Sequence, residues 1–136
     1  EVLSCQALYE HRPFYKESGK SGFLHMDGQA VFKFAVRKVP EAILEVLELN
    51  GLTIEDIDWF VVHQANRRII ESVARHLGVS LERFPVNLQE YGNTSAASIP
   101  ILLDEMKHSG QLKKGHRLVI AGFGAGLTWG ASILDC

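Results

Sequence analysis

The run Asp58-Trp59-Phe60-Val61-Val62-His63-Gln64-Ala65-Asn66-Arg67-Arg68-Ile69-Ile70-Glu71-Ser72-Val73-Ala74-Arg75-His76-Leu77-Gly78 decides the fold class. Its first part, Asp58–Val62, ends in four consecutive apolar residues. A short run with no polar alternation reads as a strand buried on both faces. The period then changes. Ile69, Ile70, Val73, Ala74 and Leu77 fall on one side of a helix over 66–77, while Arg67, Arg68, Glu71 and Arg75 fall on the other. Gly78 is the stop. A buried strand running directly into an amphipathic helix is the unit of a layered α/β domain.

Moving outward, Val31, Phe34, Ala35, Val39, Ile43, Val46 and Leu47 recur at three- and four-residue spacing, which predicts a helix over Gln29–Leu49. Pro40 inside it predicts a kink or two abutting helices, and Asn50-Gly51 a stop. Residues 1–9 read as β-tolerant and 10–28 as an irregular loop or hairpin. Thr53–Asp56 reads as a turn. After the central unit, a short strand is predicted around Phe84–Leu88, then a helix to about His108, capped by Asn93, Thr94 or Ser95. Arg117–Gly122 and Leu127–Leu134 flank a Gly-rich connection and predict a closing antiparallel hairpin. The order β, α, β, α, β, α, β, β predicts one layered α/β domain over 1–136, its sheet mostly parallel until the final hairpin adds an antiparallel edge and makes it mixed.

Composition bounds the function. The chain has 136 residues, 46% hydrophobic and 22% charged, enough for one domain with a real core. A formal charge of −2 excludes a globally basic nucleic-acid binder. No apolar run is long enough to span a membrane, and no secretion signal is visible. Two cysteines, Cys5 and Cys136, offer no C-x-x-C pair for a zinc cluster, and no metal or other cofactor is expected. A single disulfide between them stays open, but a reducing compartment is the ordinary setting for such a chain.

Three segments fall where an α/β sheet collects functional groups. His63-Gln64-Ala65-Asn66 joins the central strand to its helix. Taken alone, a His after an apolar strand is more often structural than catalytic, with Gln64 and Asn66 satisfying the turn and the helix start. Gly92-Asn93-Thr94-Ser95-Ala96-Ala97-Ser98 precedes a helix. It reads either as capping and close packing, or as a segment that turns Asn93 towards the same cleft as His63. Phe123-Gly124-Ala125-Gly126 reads either as a tight hairpin or as backbone N–H groups offered to a developing negative charge. It is neither a dinucleotide fingerprint nor a Walker loop, since strands flank it and no Gly-Lys-Ser/Thr follows.

Together, in this order and spacing, with Thr128-Trp129-Gly130 following, the three segments resemble the C-terminal half of the β-ketoacyl-acyl carrier protein synthase III family. The resemblance runs from about Leu24 to Leu134 and is weaker before Gly22. It implies the C-terminal half of a thiolase-like fold, in which two similar α/β halves enclose the site. It also implies the condensing step that initiates type II fatty acid synthesis, in which acyl-CoA and malonyl-acyl carrier protein give 3-oxoacyl-acyl carrier protein. The family uses a Cys-His-Asn triad, and by the resemblance His63 and Asn93 are its His and Asn. The backbone N–H of Ala125, where the family often has Gly, would serve the oxyanion.

The resemblance further places Gly28, Phe32, Asn66 and Phe123 near the CoA arm and acyl group. Lys33, Gln64, Ala65, Asn66, Arg67 and Arg68 fall in the region that meets the acyl carrier protein, with Arg75 extending the basic face. Read without the resemblance, that face is simply a solvated helix surface. Neither Cys5 nor Cys136 stands where the family's nucleophile lies, so that Cys is expected in an N-terminal half absent from this chain. The chain alone is then expected to be inactive. The complete enzyme is expected to be a homodimer in the cytoplasm, or in the plastid of a plant. Another thiolase-superfamily condensing enzyme, or a non-catalytic module binding carrier protein or CoA, are the alternatives.

Overall fold

The computed structural model describes residues 2–5 and 24–136. Two short strands, β1 (Leu3–Cys5) and β2 (Leu24–Met26), pair antiparallel. Residues 6–23, which take in the end of the stretch read as β-tolerant and most of the one read as an irregular loop or hairpin, lie outside the described residues. Next comes α1 (Gly28–Leu49), a single helix with Pro40 buried inside it, so of the two readings of Pro40 that of two abutting helices does not hold. Its start is fixed by Asp27, whose carboxylate accepts the N–H groups of Gln29 and Ala30 at 3.0 and 2.9 Å. Asn50 ends it, and Gly51 takes a left-handed φ of 64°.

β3 (Trp59–Val62) and α2 (Arg67–Leu77) form the central unit. Asn66 caps α2 by accepting the N–H of Arg68 at 2.9 Å, and Gly78 closes it at φ 67°. A four-residue helix, α3 (Leu88–Tyr91), is followed by α4 (Ser98–His108). β4 (Arg117–Gly124) and β5 (Thr128–Asp135) form the closing hairpin. β4 lies parallel to β3, so the sheet order is β3-β4-β5. The sheet is therefore mixed and ends in an antiparallel hairpin, as expected.

The strand expected around Phe84–Leu88 does not form. Phe84 instead ends a 3-10 turn over Leu81–Arg83 and stacks on Phe60, ring centres 5.0 Å apart. The backbone beyond it is held by a side chain: the Gln64 carboxamide donates to the Pro85 carbonyl and accepts from the Asn87 N–H. The helix after Asn93 also starts later than its apolar pattern implies. A 3-10 turn over Ser95–Ala97 precedes α4, and no side chain caps that helix.

The sheet's two faces are read off the period of two. Phe60, Val62, Val119 and Ala121 face α1 and α2, where Ala35, Val39, Ile43, Ile70 and Val73 complete the larger core. Val61 and Leu118 face the other way, against Leu102 and Met106 of α4. Helices cover both faces, which is why β3 carries no polar alternation. Among the described residues, no helix is long and apolar enough to cross a membrane.

Candidate functional site

A cavity of about 1190 Å³ opens where the ends of β3 and β4 meet the starts of α1, α2 and the segment before α4. The sheet builds it as open α/β sheets do, beyond the carboxyl ends of parallel strands. His63 continues the β3 ladder by one residue, its N–H donating to the Ala121 carbonyl at 2.9 Å. Its half-buried side chain lines the cavity, edge-on to the Phe123 ring at 5.3 Å. Its Nδ1 lies 2.6 Å from the hydroxyl of Ser98, which is buried at the first turn of α4.

Burial pushes the His63 imidazole below its ordinary pKa of 6.5. Because the folded value lies below the unfolded one, the unfolded chain binds the extra proton. The stability linked to neutral His63 is complete above the ordinary value and is lost as pH falls beneath it. Denaturant unfolding between neutral pH and mildly acidic pH should show this slope, and His63→Asn should flatten it; equal slopes would contradict the burial effect.

Asn93 reaches the same cavity from the connection before α4. Its Oδ1 accepts the N–H of Ser95 at 3.0 Å. A backbone N–H only donates, so the amide's oxygen is the tied end, and among the described residues its NH₂ has no partner. Ser95 itself takes a φ of 53°, the only non-glycine residue with positive φ among those described. Ala125 lies at the cavity's edge in the β4–β5 turn, its carbonyl accepting from the Thr128 hydroxyl at 3.1 Å. Gly126 must be glycine, since its φ is +134° and a Cβ there would stand 2.8 Å from Thr128 Cγ2.

The remaining wall divides by chemistry. Phe32 of α1 and Phe123 of β4 supply aromatic surface, and Gly28 and Ala65 lie beside the opening. Lys33, Asn66 and Arg68 form a polar rim. The Arg68 guanidinium sits over the Phe32 ring, 5.5 Å from its centre. Among the described residues neither Lys33 nor Arg68 has a carboxylate within 4.0 Å. Arg67 points away from the cavity and pairs with Glu71 at 3.0 Å, while Arg75 is exposed further along α2.

Gln64 corrects the sequence reading. It was expected among the carrier-protein contacts, yet it is completely buried, and its side chain ties the end of β3 to the 85–87 segment. A side chain with no exposed surface cannot meet a partner protein. Conversely, Ser98, Ile99 and Trp129 line the cavity, though none of them was given a role of its own by the sequence: Ser98 and Trp129 were quoted only within motifs. Ser98 lay within a motif whose small residues gave no hint of which one touches His63. Among the described residues, no group of three or more His, Cys, Asp or Glu side chains gathers to hold a metal.

Comparison with known proteins places this architecture. Residues 47–136 match the family described as 3-oxoacyl-[acyl-carrier-protein] synthase III C terminal. The chain is 50% identical over 135 residues to β-ketoacyl-[acyl-carrier-protein] synthase III of Clostridium acetobutylicum, covering 98% of this chain and 42% of that protein. The solved synthase III of Thermus thermophilus superposes with a TM-score of 0.86 at 46% identity, over 98% of this chain and 41% of the other. That of Pseudomonas aeruginosa does so with a TM-score of 0.87 at 38% identity, over 99% and 39%. The chain thus spans about two fifths of the length of the relatives it matches. Its layers are those of the thiolase-like α/β fold. By this match and this fold, the chain belongs to the 3-oxoacyl-[acyl-carrier-protein] synthase III family, of which it carries the C-terminal region.

Proposed function

We propose that this chain is the C-terminal part of a synthase III that condenses an acyl-CoA with malonyl-acyl carrier protein, and that it supplies the His63 and Asn93 of a Cys-His-Asn triad. The observation that carries the reading is that both side chains line one cavity, with the Asn93 NH₂ left free by the Ser95 bond. Loss of carbon dioxide from the malonyl group leaves an enolate whose thioester oxygen turns negative. Two neutral donors aimed at that oxygen stabilise the charge as it grows, without adding a counter-ion that would also hold the substrate. Burial of His63 favours the neutral ring this role needs. The backbone N–H of Ala125 is the proposed donor to the oxyanion formed at the acylated Cys.

The Cys belongs to an N-terminal half, consistent with the chain spanning about two fifths of its relatives. The chain alone is then inactive, and no cofactor beyond the two thioester substrates is needed. The complete enzyme is proposed to be a cytoplasmic homodimer. The aromatic wall, Phe32 and Phe123, fits an apolar acyl or pantetheine chain.

The rim formed by Lys33, Arg68 and Asn66 is proposed to meet the acidic carrier protein. Charges at an interface rim act mainly on encounter rate and salt dependence. Arg68→Glu should raise KM for malonyl-acyl carrier protein by about tenfold at low salt, with acyl-CoA use unchanged. An unchanged KM would remove Arg68 from the docking surface. A chain that bound carrier protein saturably but never turned over, even with its N-terminal half supplied, would instead be a binding module.

A further inference from the structure

We propose that Ser98 is a positioning residue that holds His63 as the neutral tautomer with its proton on Nε2, so that the donor faces the cavity. The inference rests on the reading of His63 as a donor to the developing enolate oxygen. Ser98 is 2% exposed, and its Oγ lies 2.6 Å from His63 Nδ1 and 3.3 Å from the Gln64 backbone nitrogen. These are its only side-chain hydrogen bonds among the described residues.

The directions of the two bonds are set by what each group can do. The Gln64 N–H can only donate, so it takes a lone pair on Oγ. The hydroxyl still has one proton to place, and the one acceptor within reach is the Nδ1 lone pair. A proton on Nδ1 would instead leave this buried hydroxyl with two incoming donors and nothing to give its own proton to. The neutral ring therefore carries its proton on Nε2. The Phe123 ring, 5.3 Å from the imidazole and steeply inclined to it, restricts the ring further.

The same segment treats Asn93 alike. The Ser95 N–H ties the amide oxygen, and three residues on, Ser98 ties the imidazole nitrogen. Residues 93–98 thus engage the acceptor end of both side chains, and among the described residues both donor ends are free. The unusual backbone at Ser95 is part of the turn that brings the two ties within one short segment.

The test is 15N NMR of the complete synthase labelled in histidine, with His63 assigned by the signal lost in His63→Asn. At neutral pH the expected His63 pattern is a protonated Nε2 and a bare, hydrogen-bonded Nδ1. In Ser98→Ala the Nδ1 signal should move to that of an unbonded nitrogen. The condensation rate should fall by about tenfold to a hundredfold, the loss typical when a partner that orients a metal-bound histidine is removed. KM for acyl-CoA should stay unchanged, and Ser98→Thr, which keeps the hydroxyl, should restore the Nδ1 signal and most of the rate. A protonated Nδ1 in the unaltered enzyme would overturn the proposal even if Ser98→Ala failed to fold. So would Ser98→Ala with an unchanged Nδ1 signal and rate. Full condensation by His63→Asn would overturn the catalytic reading instead, and the NMR result would stand apart from it.

Discussion

Replacing His63 or Asn93 by Ala in the complete synthase should lower the rate of condensation by about a hundredfold to a thousandfold. Removing one pre-aimed donor to a transition-state oxyanion costs that much where a second donor remains, because the site has no water already oriented to replace it. The loss should sit in kcat for decarboxylation and condensation. Loading of the nucleophilic Cys by acyl-CoA should be less affected, since that step's oxyanion is assigned to the backbone N–H of Ala125. The double variant should lose less than the product of the two single losses, because both donors serve one oxygen. Malonyl decarboxylation followed by stopped-flow, alongside mass spectrometry of the acyl-enzyme, separates the steps. Equal loss in both would mean the two residues hold the site's shape rather than its charge.

Gln64→Leu should destabilise the fold by about 2–4 kcal/mol, the cost of leaving several buried polar groups without partners. Leucine fills a similar volume, so cavity formation adds little. What disappears is a set of hydrogen bonds. Gln64 Nε2 donates to the Val62 carbonyl at 2.8 Å and to the Pro85 carbonyl at 3.5 Å, and its Oε1 accepts the Asn87 N–H at 3.3 Å. The Asn87 amide in turn donates to Glu105 of α4 at 2.5 Å. Gln64 is therefore the start of a buried chain linking the end of β3 to α4. Chemical denaturation of the chain and of Gln64→Leu measures the difference. Stabilities equal within a few tenths of a kcal/mol would show that the 85–87 segment holds itself.

The elements that the sequence declared were those whose signal is local. The central strand and helix follow from one change of period at His63, and Asn66 and Gly78 bound the helix in the structure as in the pattern. The closing hairpin was legible because two apolar runs flank a Gly-rich turn, and its register pairs Gly124 with Thr128. Phe84–Leu88 misled because Phe84 and Val86 alternate like strand residues. The hydrogen bonds a neighbouring strand would make are taken by the Gln64 side chain, which lies 21 residues before Pro85 and 23 before Asn87.

The candidate site divides in the same way. His63 and Ala125 stood out in motifs at strand ends and Asn93 in one that precedes a helix, and the fold brings all three to one cavity. Gln64 and Arg67 did not, because burial and helix facing separate residues that are adjacent in sequence. Nothing in Gln64's neighbours distinguishes a buried amide from an exposed one. Ser98 was hidden for the opposite reason: its partner lies 35 positions away, and a serine among small residues gives no local sign of a long-range hydrogen bond.

The most direct measurement is a condensation assay with acetyl-CoA and malonyl-acyl carrier protein, run on the 136-residue chain alone and on the same chain joined to its N-terminal half. The prediction is no turnover and no acetyl adduct on Cys5 or Cys136 from the chain alone. The joined protein should turn over, and His63→Ala should remove nearly all of that rate. Turnover by the chain alone with an acetyl group on either of its own cysteines would contradict the assignment of the nucleophile to the other half. A joined protein whose rate ignores His63→Ala would contradict the role given to this chain.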